Sequence, residues 1–275
     1  MAVTARTHIK ALAVLVPITA ALLFPLFWII SISLKGDTEQ FVSPPTLIPA
    51  EIVFSNYRRL LTETEFPRYI ANSLFVAFMT VVVALGAGCP AAYVMARFRL
   101  LARPEFTSLV LLAYMFPPIL LGIPLFVLFT KAGLSDSYLG LILAHATFAL
   151  PFVMWMMRDF FLAVPIEIEE AAFIDGCGRL RLLWSVVLPI ARPGLVAAGI
   201  FSFILSWSDY IYGLILMKSE TRKTISVGLS LFIDSTTIEP GLMMAGAVLI
   251  TVPALVCFMF VQRYLVQGLA MGAVK

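Results

Sequence analysis

Two ionisable side chains, His145 and Asp209, sit inside long apolar stretches of this 275-residue chain. Ionisable groups at such depth are costly and face a bundle interior or a water-filled cavity. Asp209 follows Trp207 and precedes Tyr210 and Tyr212. Aromatic faces beside a carboxylate suit a polyhydroxylated ring, which stacks on the aromatics while its hydroxyls donate to the acid. The same grouping also reads as an aromatic belt with its carboxylate at the lipid headgroups. For His145 the alternative is a hydrogen bond between helices. Asn72 and Tyr114 complete the candidates for a polar path. Catalytic chemistry has no comparable footing. There is no Ser–His arrangement, no His-Glu-x-x-His segment, no paired intramembrane aspartate, and no Gly-x4-Gly-Lys-Ser/Thr loop to cradle ATP. Cys89, Cys177 and Cys257 lack metal-ligand spacing and read as small apolar fillers. The chain is therefore read as a non-enzyme without a cofactor of its own.

A second group of residues is suited to contact rather than catalysis. Glu170-Ala171-Ala172-Phe173-Ile174-Asp175-Gly176 is a polar segment between two apolar runs, and Val186-Val187-Leu188-Pro189 follows it. Pro165 suits the first turn of a helix, where its missing N–H does no harm. Glu167, Glu169 and Glu170 then complement the positive end of the helix dipole. Ile168, Ala171 and Ala172 share a face at helical spacing. Gly176 supplies the freedom for a tight C-terminal turn. A second short helix starts near Arg179, with Leu180, Leu183, Trp184 and Val187 in one apolar stripe. Pro189 and Pro193 are expected to end it. The product is a helix–turn–helix over 162–191, with alanines at an exposed elbow that let another protein approach closely and a glutamate to offer a partner arginine.

The elements that position these groups are membrane spans. The chain is 61% hydrophobic and only 13% charged, against about 25% charged in soluble domains. A net charge of +3 gives no basis for nucleic-acid binding. A hydrocarbon core needs about 20 apolar residues of helix. Six runs qualify, at about 11–34, 70–96, 106–130, 138–161, 192–217 and 242–266. The first is longer than the apolar region of a signal peptide and is read as a retained anchor. The fold class expected is all-α, one polytopic transmembrane domain over 1–275. Pro117-Pro118, Pro124 and Pro151 interrupt the third and fourth runs, where they shape packing or mark a path. With the N-terminus inside, 11 of the 19 basic residues fall on the inner side. Both termini and the Glu170 loop are thus expected in the cytoplasm. Arg97, Arg99 and Arg103 are read as anchors among anionic headgroups. The loop from Lys35 to Pro67 reads as ordered, with a short interfacial helix near 54–61 and Ser55 as its N-cap.

The spacing Glu170-Ala171-Ala172, Gly176, Val186, Leu188-Pro189 resembles the EAA loop of ATP-binding-cassette importer permeases. Val186 stands where the family often has Ile. The resemblance runs along most of the chain and is nearest to the carbohydrate-uptake, maltose-type branch. It is carried also by Asn56-Tyr57, Asn72-Ser73, Ala91-Ala92-Tyr93 with Ala96-Arg97, Phe148-x-x-Pro151 and Trp207-Ser208-Asp209-Tyr210. The tail from Arg263 to Gly268-Leu269 and Gly272-Ala273-Val274-Lys275 completes it. Ser208 stands where many relatives have Asn.

The resemblance implies a six-span subunit of a bacterial or archaeal inner (cytoplasmic) membrane importer. An extracytoplasmic binding protein would deliver a small sugar, and a second homologous permease would complete an alternating-access path. A separate ATPase dimer, binding ATP and Mg, would dock on Glu170, Ala171, Ala172, Asp175, Gly176, Leu188 and Pro189. A sugar-related solute such as a glycerol phosphate or polyol is the alternative cargo. A secondary transporter is the alternative class, against which stand the scattered ionisable residues and the lack of an internal repeat.

Overall fold

The computed structural model describes residues 5–98, 103–232 and 239–272, with side chains described except at 5–11, 104, 261 and 263–272. Arg6, Lys10, Arg99 and the Arg263–Lys275 tail therefore lie outside the described side chains. Every regular element among the described residues is helical. The chain forms an all-α polytopic membrane protein, and it divides into two compact units, Met1–Pro67 with Leu229–Thr251 and Arg68–Gly228 with Val252–Lys275.

The first unit holds α1 (Ala5–Ser33), α2 (Ser55–Thr62) and the start of α13 (Pro240–Gly272). The most apolar stretch of α1 is left uncovered by the rest of the chain, as suits a surface facing lipid or another subunit. The loop after α1 is ordered by its own polar groups. Asn56 donates to the carbonyls of Ser33 (3.0 Å) and Lys35 (2.9 Å). The buried Lys35 ammonium donates to Thr46 O and lies 5.3 Å from the Trp28 ring centroid. Gln40 accepts from the Gly241 amide at 2.7 Å, and Arg59 pairs with Glu239 at 2.7 Å. The expected short helix is α2, but Phe54 occupies its N-cap without a side-chain bond, and Ser55 lies inside it.

The second unit is built on α3 (Phe66–Arg97), which enters it at Arg68, and on α4 (Pro104–Met115), α5 (Pro118–Lys131), α6 (Tyr138–Leu162) and α10 (Arg192–Trp207). Between α6 and α10 lie α7 (Ile166–Ile174), α8 (Arg179–Leu182), a π-helical turn (Leu183–Val187) and α9 (Leu188–Ile190). After α10 come α11 (Ile211–Leu216) and α12 (Ile225–Leu231). One apolar cluster joins Ala92 and Ala96 of α3, Val153, Met157 and Phe161 of α6, and Leu182 and Leu188 beyond it. A second joins Val76, Phe129, Leu141, Phe148, Tyr212 and Leu216. Small residues set the helix approach, as membrane packing requires. A Cβ on Gly194 would lie 2.4 Å from the Phe160 ring.

Four helices among the described residues are long and apolar enough to cross a membrane, and six are reached if each of two sharply bent pairs is one span. The third expected span is such a pair. It breaks by 85° between Met115 and Pro118, because Pro117 and Pro118 remove consecutive backbone donors and confine the preceding residues to extended geometry. The fifth differs from the expected 192–217. Its helix stops at Trp207 and resumes at Ile211, so Ser208–Tyr210 are irregular rather than helical.

Candidate functional site

The α7–α9 segment is folded by local rules. Pro165 is the N-cap of α7, whose dipole faces Glu167 and Glu169 at its start. At its far end the Gly176 amide bonds Phe173 O (3.0 Å) and the Cys177 amide bonds Ala172 O (2.9 Å), with Gly176 at φ +80°. This is a Schellman closure, and its left-handed residue favours glycine. The elbow exposes Glu170, Ala171, Asp175 and Gly176, with Ala172 half-buried. It also exposes apolar groups: Ile174 is 87% and Leu180 73% accessible, and Phe173, Trp184 and Ile190 are exposed too. Exposed apolar groups of this size are available to a partner surface or to lipid.

The second limb departs from the expected stripe. Leu183 and Val187 are buried, but Leu180 and Trp184 face outward while Leu182 and Leu188 are inside. The wider π turn over Leu183–Val187 shifts the register of the buried face. Pro189 does not end the limb. It sits in the first turn of α9, and the limb turns at Ala191 into α10 through 87°. Pro189 is exposed, whereas Leu188 is 4% accessible and packs in the core cluster.

What holds the elbow in place is Glu169, a residue absent from the expected contact set. Its carboxylate is buried and accepts from the Tyr93 hydroxyl at 2.7 Å and from Arg97 Nε at 2.8 Å, and Arg97 Nη2 lies 2.7 Å away in an ion pair. Arg97 Nη2 also donates to Phe161 O (2.8 Å) and Val164 O (2.9 Å), at the end of α6. Arg97 is thus an internal tie and not the headgroup anchor expected of it. Arg103 is exposed, as an anchor would be. The signal was present: Tyr93 and Arg97 are four residues apart on one helix face.

The ionisable candidates converge on a cavity of about 300 Å³ lined by Pro118, His145, Phe148, Asp209, Tyr210 and Tyr212, among others. It lies where the α4–α5 and α10–α11 breaks meet α6. Irregular backbone at membrane depth is tolerated when it lines such a space. His145 Nδ1 is 2.7 Å from Ser206 Oγ, and Nε2 is 3.2 Å from Asp209 Oδ2. Asp209 Oδ2 also accepts from the Gly213 amide at 2.9 Å. His145 therefore does make the interhelical bond, and it lines the cavity as well. Trp207, Asn72 and Tyr114 are not brought there. Trp207 is buried and stacks on Phe203 at 5.8 Å. Asn72 donates to the Thr221 and Lys223 carbonyls and accepts from Tyr138. Tyr114 packs on Phe152 and Phe201.

Residues 84–271 match the family model described as the binding-protein-dependent transport system inner membrane component. The chain belongs to this family. Among its relatives, the trehalose transport system permease protein SugB of Mycobacterium tuberculosis is 37% identical over 92% of both chains. The diacetylchitobiose uptake system permease protein NgcG of Streptomyces coelicolor is 31% identical over 96% of this chain and 87% of its own. Among solved structures, a chain of a bacterial ABC transporter involved in the import of the acidic polysaccharide alginate superimposes with a TM-score of 0.78. It is 25% identical, over 95% of this chain and 98% of that one. This binding-protein-dependent permease thus carries both the elbow and the cavity inside the matched region, and it is an inner-membrane, multi-pass transport component.

Proposed function

We propose that the permease is the membrane subunit of an ATP-driven importer of a sugar, pairing with a homologous permease and an ATPase dimer and receiving its cargo from an extracytoplasmic binding protein. The observation that carries this reading is the elbow. Glu170, Ala171, Asp175 and Gly176 form a rigid exposed turn, rimmed by uncovered Ile174 and Leu180, on a chain with no phosphate-binding loop. Such a turn offers an ATPase a charged contact, a close backbone approach and apolar surface to bury. The ATPase supplies ATP and Mg. The cargoes for which those relatives are named, trehalose and diacetylchitobiose, support a sugar, and the cavity of His145, Asp209 and Tyr210 has the acid and aromatic groups that hydroxylated rings bind. Both termini and the elbow lie in the cytoplasm in this reading.

The test is purification in mild detergent from the native membrane. The wild-type chain is expected to bring down an ATPase and a second permease. A Cβ at Gly176 meets nothing within 4 Å in this chain, so substitution acts through strain and through what approaches from outside. Strain at a left-handed residue is only about 1–2 kcal/mol. Gly176→Ala is therefore expected to keep most of the ATPase, while Gly176→Trp loses it with insertion unchanged. A homo-oligomer without any ATPase would overturn the reading in favour of a secondary transporter.

A further inference from the structure

We infer that Glu169 and Arg97 form the rigid linkage by which force on the elbow reaches the transmembrane helices. The inference rests on the docking reading above and assigns what lies behind the docked surface. α7 has only nine residues and cannot transmit a displacement by its own length. It must be fastened to something long. Among the described residues the polar fastening is concentrated at one point. The Glu169 side chain is 6% and the Arg97 side chain 13% accessible, so the pair is shielded from competing water. Both carboxylate oxygens are used, one by Arg97 and one by Tyr93. Arg97 Nη2 holds Phe161 O and Val164 O.

One guanidinium thus ties the end of the 32-residue α3, the end of α6 and the first turn of α7. Its planar fork fixes direction as well as distance, which a lysine ammonium does not. The T-shaped contact of Tyr93 and Phe161, at 5.9 Å, stiffens the same junction. Meanwhile Glu170, the next residue, faces outward. Displacing α7 therefore carries α3 and α6 with it unless the tie is broken. Glu169, Arg97 and Tyr93 are assigned as positioning residues, shielded behind the exposed elbow.

The experiment uses the whole transporter, reconstituted with its ATPase, with MgATP and vanadate as the probe. Spin labels at Glu167→Cys and Phe98→Cys, both exposed, report the α7–α3 distance in a background lacking the native cysteines. With the native tie, that distance is expected to stay narrow and unchanged by nucleotide. In Glu169→Ala and Arg97→Lys it is expected to broaden or shift, with ATPase co-purification retained and ATP-driven uptake reduced at least tenfold. Glu169→Gln, which keeps the shape and one acceptor, serves as the folding-safe variant and is expected to fall between. Full coupling and an unchanged distance in Glu169→Ala, with the ATPase bound, would overturn the linkage alone. A wild-type chain that binds no ATPase overturns the docking reading, and the linkage with it.

Discussion

Glu169 and Glu170 differ by one position and by about 100° around α7, and that rotation separates an internal tie from an external contact. The same reasoning separates the two roles of Asp209. Its Oδ1 and Oδ2 accept from the Tyr212 and Gly213 amides at the helix start, and Oδ2 also lies 3.2 Å from His145 Nε2 on the cavity wall. Asp209→Asn keeps an oxygen for the helix start but loses the charge. A hydrogen bond to a charged group is worth about 1.5–3 kcal/mol, which corresponds to roughly 10- to 100-fold in affinity or rate. Sugar-dependent uptake by Asp209→Asn is expected to fall within that range while the amount of assembled complex stays level. Uptake kinetics equal to wild type would remove Asp209 from the path.

At the scale of elements, the segment joining α11 to α12 shows how short helices are fixed by acids. Asp136, at φ 54° between α5 and α6, accepts from the amides of Lys218 (2.9 Å) and Ser219 (3.0 Å) and from the Ser219 hydroxyl. Burial alone would raise its pKa. The Ser219 and Lys218 donors and Arg222 outweigh that and hold it below the ordinary 3.8. Glu220 lies below 4.5, chiefly because Lys223 and Tyr69 donate to it. A carboxylate with a depressed folded pKa stabilises fully above its unfolded pKa and ceases to do so as pH falls through the folded one. This segment is therefore expected to stay ordered from pH 7 to about 5 and to loosen below about 4. Hydrogen exchange at Lys218 and Ser219, corrected for its intrinsic pH dependence, reports it. Asp136→Asn should show fast exchange already at pH 7, and protection equal to wild type would show that the charge is not the fastener. None of this was legible in the sequence, since Asp136 and Ser219 are 83 positions apart. The apolar runs, the Pro117-Pro118 break and the Gly176 elbow were legible, because each depends on a local rule: run length, lost backbone donors, a left-handed turn. The Leu183–Val187 π turn and the Trp207 helix end were missed for the opposite reason. The apolar pattern continues through both, and only packing decides where the backbone departs from it.

Over the whole molecule, orientation follows from basic residues left free to meet headgroups. Arg97 leaves that set, because its guanidinium is spent on Glu169 and two carbonyls. Arg103, Arg179, Arg181 and Arg192 remain exposed, and on the import reading they are expected to put the α3–α4 connection and the elbow on the inner side. Glu51, exposed in the loop after α1, is expected to face outside on the same reading. The three native cysteines complicate labelling, and Cys177 is at the elbow itself. Replacing all three with alanine and introducing Arg103→Cys or Glu51→Cys singly gives two reporters away from the docking surface. In right-side-out vesicles a membrane-impermeant maleimide is expected to label Glu51→Cys and spare Arg103→Cys, and inverted vesicles should reverse the pattern. The opposite labelling would put the elbow outside, where no cytoplasmic ATPase could reach it. The import reading would then fail at the level of topology, whatever the elbow's geometry.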